Sequence, residues 1–580
     1  MMKRRISRNC TFFVPLVILV FGITALAQSN KGTIVGTVKD PNDALVTQAS
    51  ITVTNAKTGE VREAKTGDEG TYAVTNLEPG TYTVTANASG FQAVTIEGVQ
   101  VETNARLPLD VKFTNITGGT GSVTVTAESA PLVESETSVR GEVITGKQVT
   151  DLPLGQRNFT LLAGLVPGVT RPGSTNVGVL GGGNISGPGA PNSSTESTRF
   201  RESGGSVVSA NGARVTNNNF TLDGVDNNES QFGQIGIFPP PDAIAEFKVE
   251  TSVPSAESGR AGGAIISTTF RSGGNSFHGT LFENYEGQFG SARPTNNPNP
   301  ANFVKHNFGG TVGGPIFLPR FGEGGKSWSN GRNRSFFFFS YNAQKFSTPA
   351  FGGTDFAFVT VPSLRMRLGD FGEVLKPGTS MTYTRANGTQ FTAPIGTIFD
   401  PNGNAIPGND LRRCTTCPAL SPAGLATILA YPLPTESGLF NNYRRNRKEK
   451  SDDKGYDVRI DHRLNGKNSA FGRFSFSNLD RLRDNNFPLG SSPTGNDLPS
   501  GFGAGDEFGK SRQIALGDTH IFSPTVINDV KAGYTRVSIG IFNPGVGGAL
   551  GFKSNVSTDL GMKNVNACGL PCSGVVLLGV

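Results

Sequence analysis

Tyr456-Asp457-Val458-Arg459-Ile460-Asp461-His462-Arg463-Leu464 alternates apolar and charged residues almost without a break. Successive side chains on a strand point to opposite faces. Tyr456, Val458, Ile460 and Leu464 therefore share one face, and Asp457, Arg459, Asp461 and Arg463 the other. Asn465-Gly466-Lys467-Asn468 follows, and Asn-Gly tolerates the positive φ that a tight hairpin demands. The chain returns through Ala470-Phe471-Gly472-Arg473-Phe474-Ser475-Phe476-Ser477. A second hairpin runs from Gln513 to Phe522, turns at Ser523-Pro524 and comes back from Val526 to Val537. Strands of this length, apolar outside and charged inside, fit the wall of a transmembrane β-barrel. A soluble sandwich would look the same locally, so the rest of the chain has to decide.

Further strands are expected near Phe277–Tyr285, Phe303–Phe317 and Ser335–Phe346, the last with an aromatic run at Phe336–Phe339 that suits a strand or its girdle. With 454–464, 469–478, 510–522 and 525–537 that makes seven strands. The turns at 465–468 and 523–524 are short, and the segments 347–453 and 479–509 are long. Short turns belong on the periplasmic side and long loops outside. Seven is an odd number, plugged barrels have about twenty-two strands, and Gly574 to Val580 holds no terminal aromatic. Residues 273–580 are therefore expected to be the front part of a barrel, incomplete in this chain.

Composition limits the alternatives. The 580 residues include 77 Gly and 35 Pro, below the level of a wholly disordered chain, and mean hydropathy is −0.22, which excludes a helical membrane bundle. The net charge of +6 suggests nucleic acid until its source is located. Lys3, Arg4, Arg5 and Arg8 sit together at the start, and the remaining 48 basic residues face 46 acidic ones. No nucleic-acid partner is expected. The run Arg444-Arg445-Asn446-Arg447-Lys448 is followed by Glu449, Asp452 and Asp453 and reads as a solvated loop.

The same four cations form the n-region of a signal peptide over 1–27. Phe12 to Leu26 is apolar and short, and Ala25 and Ala27 supply the small residues for cleavage before Gln28. The mature protein is expected to work outside the cytoplasm.

Residues 28–114 read as a small β-sandwich. Thr33–Lys39, Ser50–Asn55, Thr71–Thr75 and Thr81–Ala86 are Val-, Thr- and Tyr-rich, separated by Asp, Asn, Gly and Pro turns. Tyr82, Val84 and Ala86 share the expected buried face. Gly36 to Asp40, Ala49 to Asn55, Gly70 to Val74, Leu77 to Tyr82 and Gly90-Phe91 together resemble the carboxypeptidase regulatory-like domain, which implies a transthyretin-like or carbohydrate-binding-like sandwich. Peptidase chemistry does not follow. His278, His306, His462 and His520 are far apart, and none lies in a zinc-binding motif.

Residues 115–272 change character. Ser122-Val123-Thr124-Val125-Thr126 is a short β run, Leu161 to Val169 a short helix stopped by Pro167-Gly168, and 171–206 a Gly/Ser/Asn/Pro insertion. Leu152-Pro153-Leu154, Asn219 to Val225 with Asp223-Gly224, Ile244 to Val249 and Gly259 to Gly263 resemble, in order, the plug of TonB-dependent outer-membrane transporters. The particular resemblance is to the Oar-like group, in which a regulatory-like domain precedes the plug. It implies an α+β plug inside the barrel, a periplasmic TonB-type energising protein, and a substrate taken up from outside. That partner binds by β-augmentation, and Ser122, Val123, Thr124, Val125 and Thr126 are the candidate contact strand, a plain first plug strand being the alternative. Asp223 reads as a turn residue, with a ligand or gating role as the other possibility.

Cys414 with Cys417, and Cys568 with Cys572, are disulfide candidates in loops expected outside; 150 residues between the pairs argue against a shared zinc site. Gly141 to Lys147 falls short of a phosphate loop because Gln148 stands where Ser or Thr should. Asp400, Asn402 and Asn404 start like a calcium loop that Ala405 and Leu411 spoil. No catalytic residue, metal ligand or cofactor is assigned. The expectation is a mainly β outer-membrane receptor or transporter in contact with outer-membrane lipid, for a large or scarce substrate whose identity the sequence leaves open, oligosaccharide and peptide being the candidates. The rival is a secreted or surface adhesion protein built of carbohydrate-binding sandwiches.

Overall fold

The computed structural model describes residues 31–114, 123–126, 140–152, 154, 157–170, 208–229, 235–252, 259, 261–287, 289, 304–319, 328–349, 357–385, 387–417, 421–445, 448–483, 505–523 and 526–542. Ala25, Ala27, Gln28, Ser122, Cys568, Cys572 and the 171–206 insertion lie outside the described residues. Among those described, no helix is long and apolar enough to cross a membrane.

The first unit is a two-sheet sandwich. Gly32–Lys39 pairs antiparallel with Thr71–Leu77 and parallel with Arg106–Pro108 and Val111–Lys112. The facing sheet runs Val61–Lys65, Ser50–Asn55, Gly80–Asn87, Val94–Val101, Val123–Thr126. Period-two alternation sends Ile51, Val53, Tyr82, Val84 and Ala86 into one core with Ile34 and Phe113, all essentially sealed from solvent. The four strands expected there are present, and five more join them.

The middle unit is a five-stranded mixed sheet in the order Arg140–Thr145, Ile244–Ser252, Ile265–Phe270, Asn219–Leu222, Val225–Asp226. Its central strands do not alternate: Ile265–Phe270 and Asn219–Leu222 are buried at every position. Both faces are covered, one by its own core, including Phe159 edge-on to Phe247 at 5.3 Å, and the other by neighbouring units. Helix Gly146–Asp151 begins at a capping box between Thr145 and Gln148, so the phosphate-loop look-alike is a strand end and a cap. The short helix expected at Leu161 to Val169 is a 3₁₀ helix at Phe159–Leu165, the form that short helical pieces commonly take.

The third unit is one antiparallel seven-stranded sheet: His278–Gly287, Val304–Pro315, Ser335–Pro349, Lys448–Asn465, Asn468–Arg483, Gly505–Ser523 and Val526–Phe542. These are the seven expected strands, most of them longer than their sequence signal. Leu281, Tyr285, Val312, Phe339, Tyr456, Val458, Ile460, Phe474, Ile514, Leu516 and Tyr534 all point to one face and are exposed, Leu281 at 93%. Thr311, Ser340, Asp457, Ser475, Gln513 and Thr535 occupy a single cross-strand row on the other face. The apolar outside and polar inside define a barrel wall. The 347–453 segment carries its own small structure, with hairpin Lys376–Thr384/Gln390–Ile395, helix Pro422–Ala430 and a disulfide joining Cys414 to Cys417.

Candidate functional site: the middle unit against the inner wall

Asn219–Leu222 and Val225–Asp226 form a hairpin closed by Leu222 opposite Val225. The two residues between them, Asp223 and Gly224, have φ of 54° and 76°. A two-residue turn with both central residues at positive φ matches the twist of the flanking strands, and Asp-Gly is among the few dipeptides that tolerate it. The turn aims the Asp223 carboxylate at the barrel wall.

There it meets two arginines on adjacent strands. Asp223 Oδ1 accepts from Arg459 Nη1 at 3.0 Å and from the Phe270 backbone N–H at 3.0 Å, and Oδ2 accepts from Arg473 Nε at 2.7 Å. Asp223 is 1% exposed, and the Arg459 and Arg473 side chains are 4% and 0%. Arg459 and Arg473 are direct cross-strand partners. Like charges so placed repel, and the carboxylate from the middle unit lies between them. Each arginine spends its remaining donors differently. Arg459 bonds Asp461 at 2.9 Å, whereas Arg473 bonds neutral groups, Ser475 Oγ and Gln513 Oε1, both at 2.6 Å. Gln513 also donates to the Asp226 carbonyl at 3.1 Å. Beside this cluster Val225 presses on Gly533, where any Cβ would come within 1.9 Å of Val225 Cγ1. At the opposite edge Arg157 pairs with Asp242 and lies 4.4 Å over the Phe282 ring on the first barrel strand.

The sandwich closes the short-turn end. Lys31 Nζ donates to Thr519 Oγ1 at 2.7 Å and sits 3.6 Å from Asp529, both on the wall. Glu60 lies 3.6 Å from Arg463. The Thr103 backbone N–H donates to Glu246 of the middle sheet, and Thr103 Oγ1 is 3.0 Å from Thr269 Oγ1. Burial pushes the Glu246 carboxyl up to about 7, and the Thr103 hydrogen bonds offset part of that rise. A cavity of about 850 Å³ lies where the three units meet, bordered by Lys57, Glu78, Lys147, Arg271, His278 and Asp461.

Sequence reading identified Asp223 as a turn residue, which it is, but missed its two arginine partners. Their signal was present: alternation marks both as inward-facing cations, and the Asn465–Asn468 hairpin sets them nearly opposite. Val123–Thr126, part of the proposed partner-contact strand, pairs in parallel with Val94–Glu97 at the sandwich edge. It is not a strand of the middle sheet. Among the described residues no group of three or more His, Cys, Asp or Glu is placed to hold a metal ion. Asp400 instead accepts from the Asn404 backbone within one turn.

A strand wall with an apolar outside and a polar inside, to which the middle unit is ion-paired, has the character of an outer-membrane β-barrel. The chain belongs to the outer membrane beta barrel domain family, which it matches over residues 269–575, and it carries a carboxypeptidase regulatory-like domain over 33–114. It is similar to the TonB-dependent transporter Oar of Myxococcus xanthus, 24% identical over 315 residues, which is 51% of this chain and 26% of that protein. The chain thus spans about a quarter of the length of that relative. Among solved structures it is similar to the ferric enterobactin receptor of Pseudomonas aeruginosa, at 12% identity and a TM-score of 0.36 over 69% of this chain and 41% of that one. It is likewise similar to the siderophore receptor PirA of Acinetobacter baumannii, at 12% identity and a TM-score of 0.37 over 72% and 42%.

Proposed function

We propose that this chain is the front part of a TonB-dependent outer-membrane receptor, with residues 115–272 its plug and a periplasmic energising protein its partner. The observation that carries the reading is the Asp223 clamp. A plug that must stay seated and yet be displaced needs contacts that are strong, local and polar, and the Asp223–Arg459–Arg473 cluster supplies them in the lumen. The sandwich and short turns then face the periplasm, and the long loops with the Cys414–Cys417 disulfide face outside. Ser122 to Thr126 is our candidate for the strand that the energising protein takes up. Strand addition needs only backbone groups, so release of Val123–Thr126 from its edge position would free it. Substrate, an oligosaccharide or peptide, would enter from the loop side, and we assign no covalent chemistry. The surface-adhesion alternative offers no role for the outward apolar band.

The test is outer-membrane fractionation of the full-length protein with heat-modifiable gel migration. A barrel shifts on boiling, and heat-independent migration overturns the proposal. Cysteines placed one at a time over Val123–Thr126 should crosslink to the energising protein in living cells, and crosslinks found only elsewhere would remove that strand from the mechanism.

A further inference from the structure

The wall carries a second pair of arginines in direct register, Arg512 opposite Arg536, and this pair points outward. Their row continues through Phe476, Tyr456 and Tyr341, whose rings stack at 5.0 and 6.1 Å. Arg512 lies 5.1 Å over the Phe476 ring. One outward position toward the short turns are Ile514 and Tyr534, exposed and apolar in character. One outward position toward the long loops is Lys510. Order along the wall is thus apolar band, aromatic row with two arginines, then lysine.

The inner pair, Arg459 and Arg473, has a carboxylate lodged between its members. The outer pair has none: among the described residues no ion pair reaches Lys510, Arg512 or Arg536. Two acids on this face have partners of their own, Asp452 with Lys454 at 3.0 Å and Asp480 with the Asn478 amide at 2.7 Å. Two arginines in direct cross-strand register are unfavourable neighbours, and an anion shared between them relieves that repulsion. Guanidinium forks suit phosphate, and cations at the rim of an apolar band sit at headgroup depth.

We propose that Arg512, Arg536 and Lys510 bind the phosphate of an anionic lipid in the outer leaflet, with its acyl chains along Ile514 and Tyr534. The leaflet assignment rests on the orientation given under Proposed function, whereas phosphate binding does not. The experiment is native mass spectrometry of the detergent-solubilised full-length protein. The probes are a bisphosphorylated glucosamine-disaccharide lipid, the same lipid without phosphates, and inorganic phosphate. The expected result is retention of the phosphorylated lipid about tenfold or more above the dephosphorylated one, lost in Arg512→Gln/Arg536→Gln and kept in the control Lys376→Gln. Equal retention of both lipids, an equal loss in the control, or occupancy by inorganic phosphate alone overturns it. Heat-modifiable migration confirms that each variant is folded, and the single variants replace the double one if it is not. Labelling of Thr389→Cys on intact cells by an impermeant maleimide tests the orientation separately. An unlabelled loop with lipid still bound refutes the leaflet assignment and leaves the phosphate site standing.

Discussion

Asp223→Ala removes one carboxylate from between two arginines. Arg459 keeps Asp461 at 2.9 Å as a hydrogen-bonded charged partner, whereas Arg473, fully buried, keeps hydrogen bonds only to Ser475, Gln513 and the Leu222 carbonyl, with the Asp457 carboxylate nearby but not bonded to it. Breaking a buried pair by deleting one member costs about 3–5 kcal/mol, because the surviving charge is desolvated and uncompensated. Most of that cost should fall on Arg473. Replacing Arg473 by Met in the Asp223→Ala background removes the orphaned charge, so the double variant should be more stable than Asp223→Ala alone. The coupling energy should reach about 2–3 kcal/mol. Arg459→Met should couple more weakly, since its charge is shared with Asp461. The assay is guanidinium-chloride unfolding of the refolded full-length protein in lipid, followed by heat-modifiable migration. An Asp223→Ala cost within about 0.5 kcal/mol, typical of an ordinary surface site, or a double variant no more stable than the single, would refute the clamp.

Four further outcomes are expected. Docking of the sandwich on the middle unit should weaken with rising pH. The docked Glu246 carboxyl sits at about 7 against an ordinary 4.5. Docking therefore takes up a proton in this window, is strongest below about 4.5, and loses on the order of 3 kcal/mol by the time pH passes 7. Crosslinking from the Thr103 loop across pH reads this, and Glu246→Gln should flatten the profile. Gly533→Ala puts a Cβ into Val225 and should cost about 1–3 kcal/mol by overpacking; Val225→Ala should restore most of it in the unfolding assay. Val458→Arg on the outer face should cost about 2–4 kcal/mol if the residue sits at mid-membrane, an effect that should vanish in a water-soluble state and is measured by refolding into vesicles. The mature protein should begin at Gln28, so N-terminal sequencing that finds Met1 or Met2 would remove the signal-peptide assignment.

What was legible from sequence was what depends on local period and turn chemistry. Alternation at 456–464 put Val458 and Ile460 on one face and Arg459 and Asp461 on the other, because side-chain direction on a strand follows from its pleat alone. Asp223-Gly224 announced a tight turn because few residues accept positive φ, whereas the turn between Asn465 and Asn468 forms where expected but without positive φ at Asn465 or Gly466. The middle unit was harder to read. Ile265–Phe270 is buried on both faces, so it lacks the alternation that marks a half-buried strand, and family resemblance supplied what periodicity did not. Tertiary structure alone decided the partners: that Asp223 reaches Arg459 and Arg473, over 200 positions away in the chain, that Glu246 meets Thr103, and that Val123–Thr126 lies on the sandwich edge. Sequence specifies which face a side chain takes. Which charge stands opposite it is a property of strand register and unit docking, set by contacts whose separation along the chain carries no local signal.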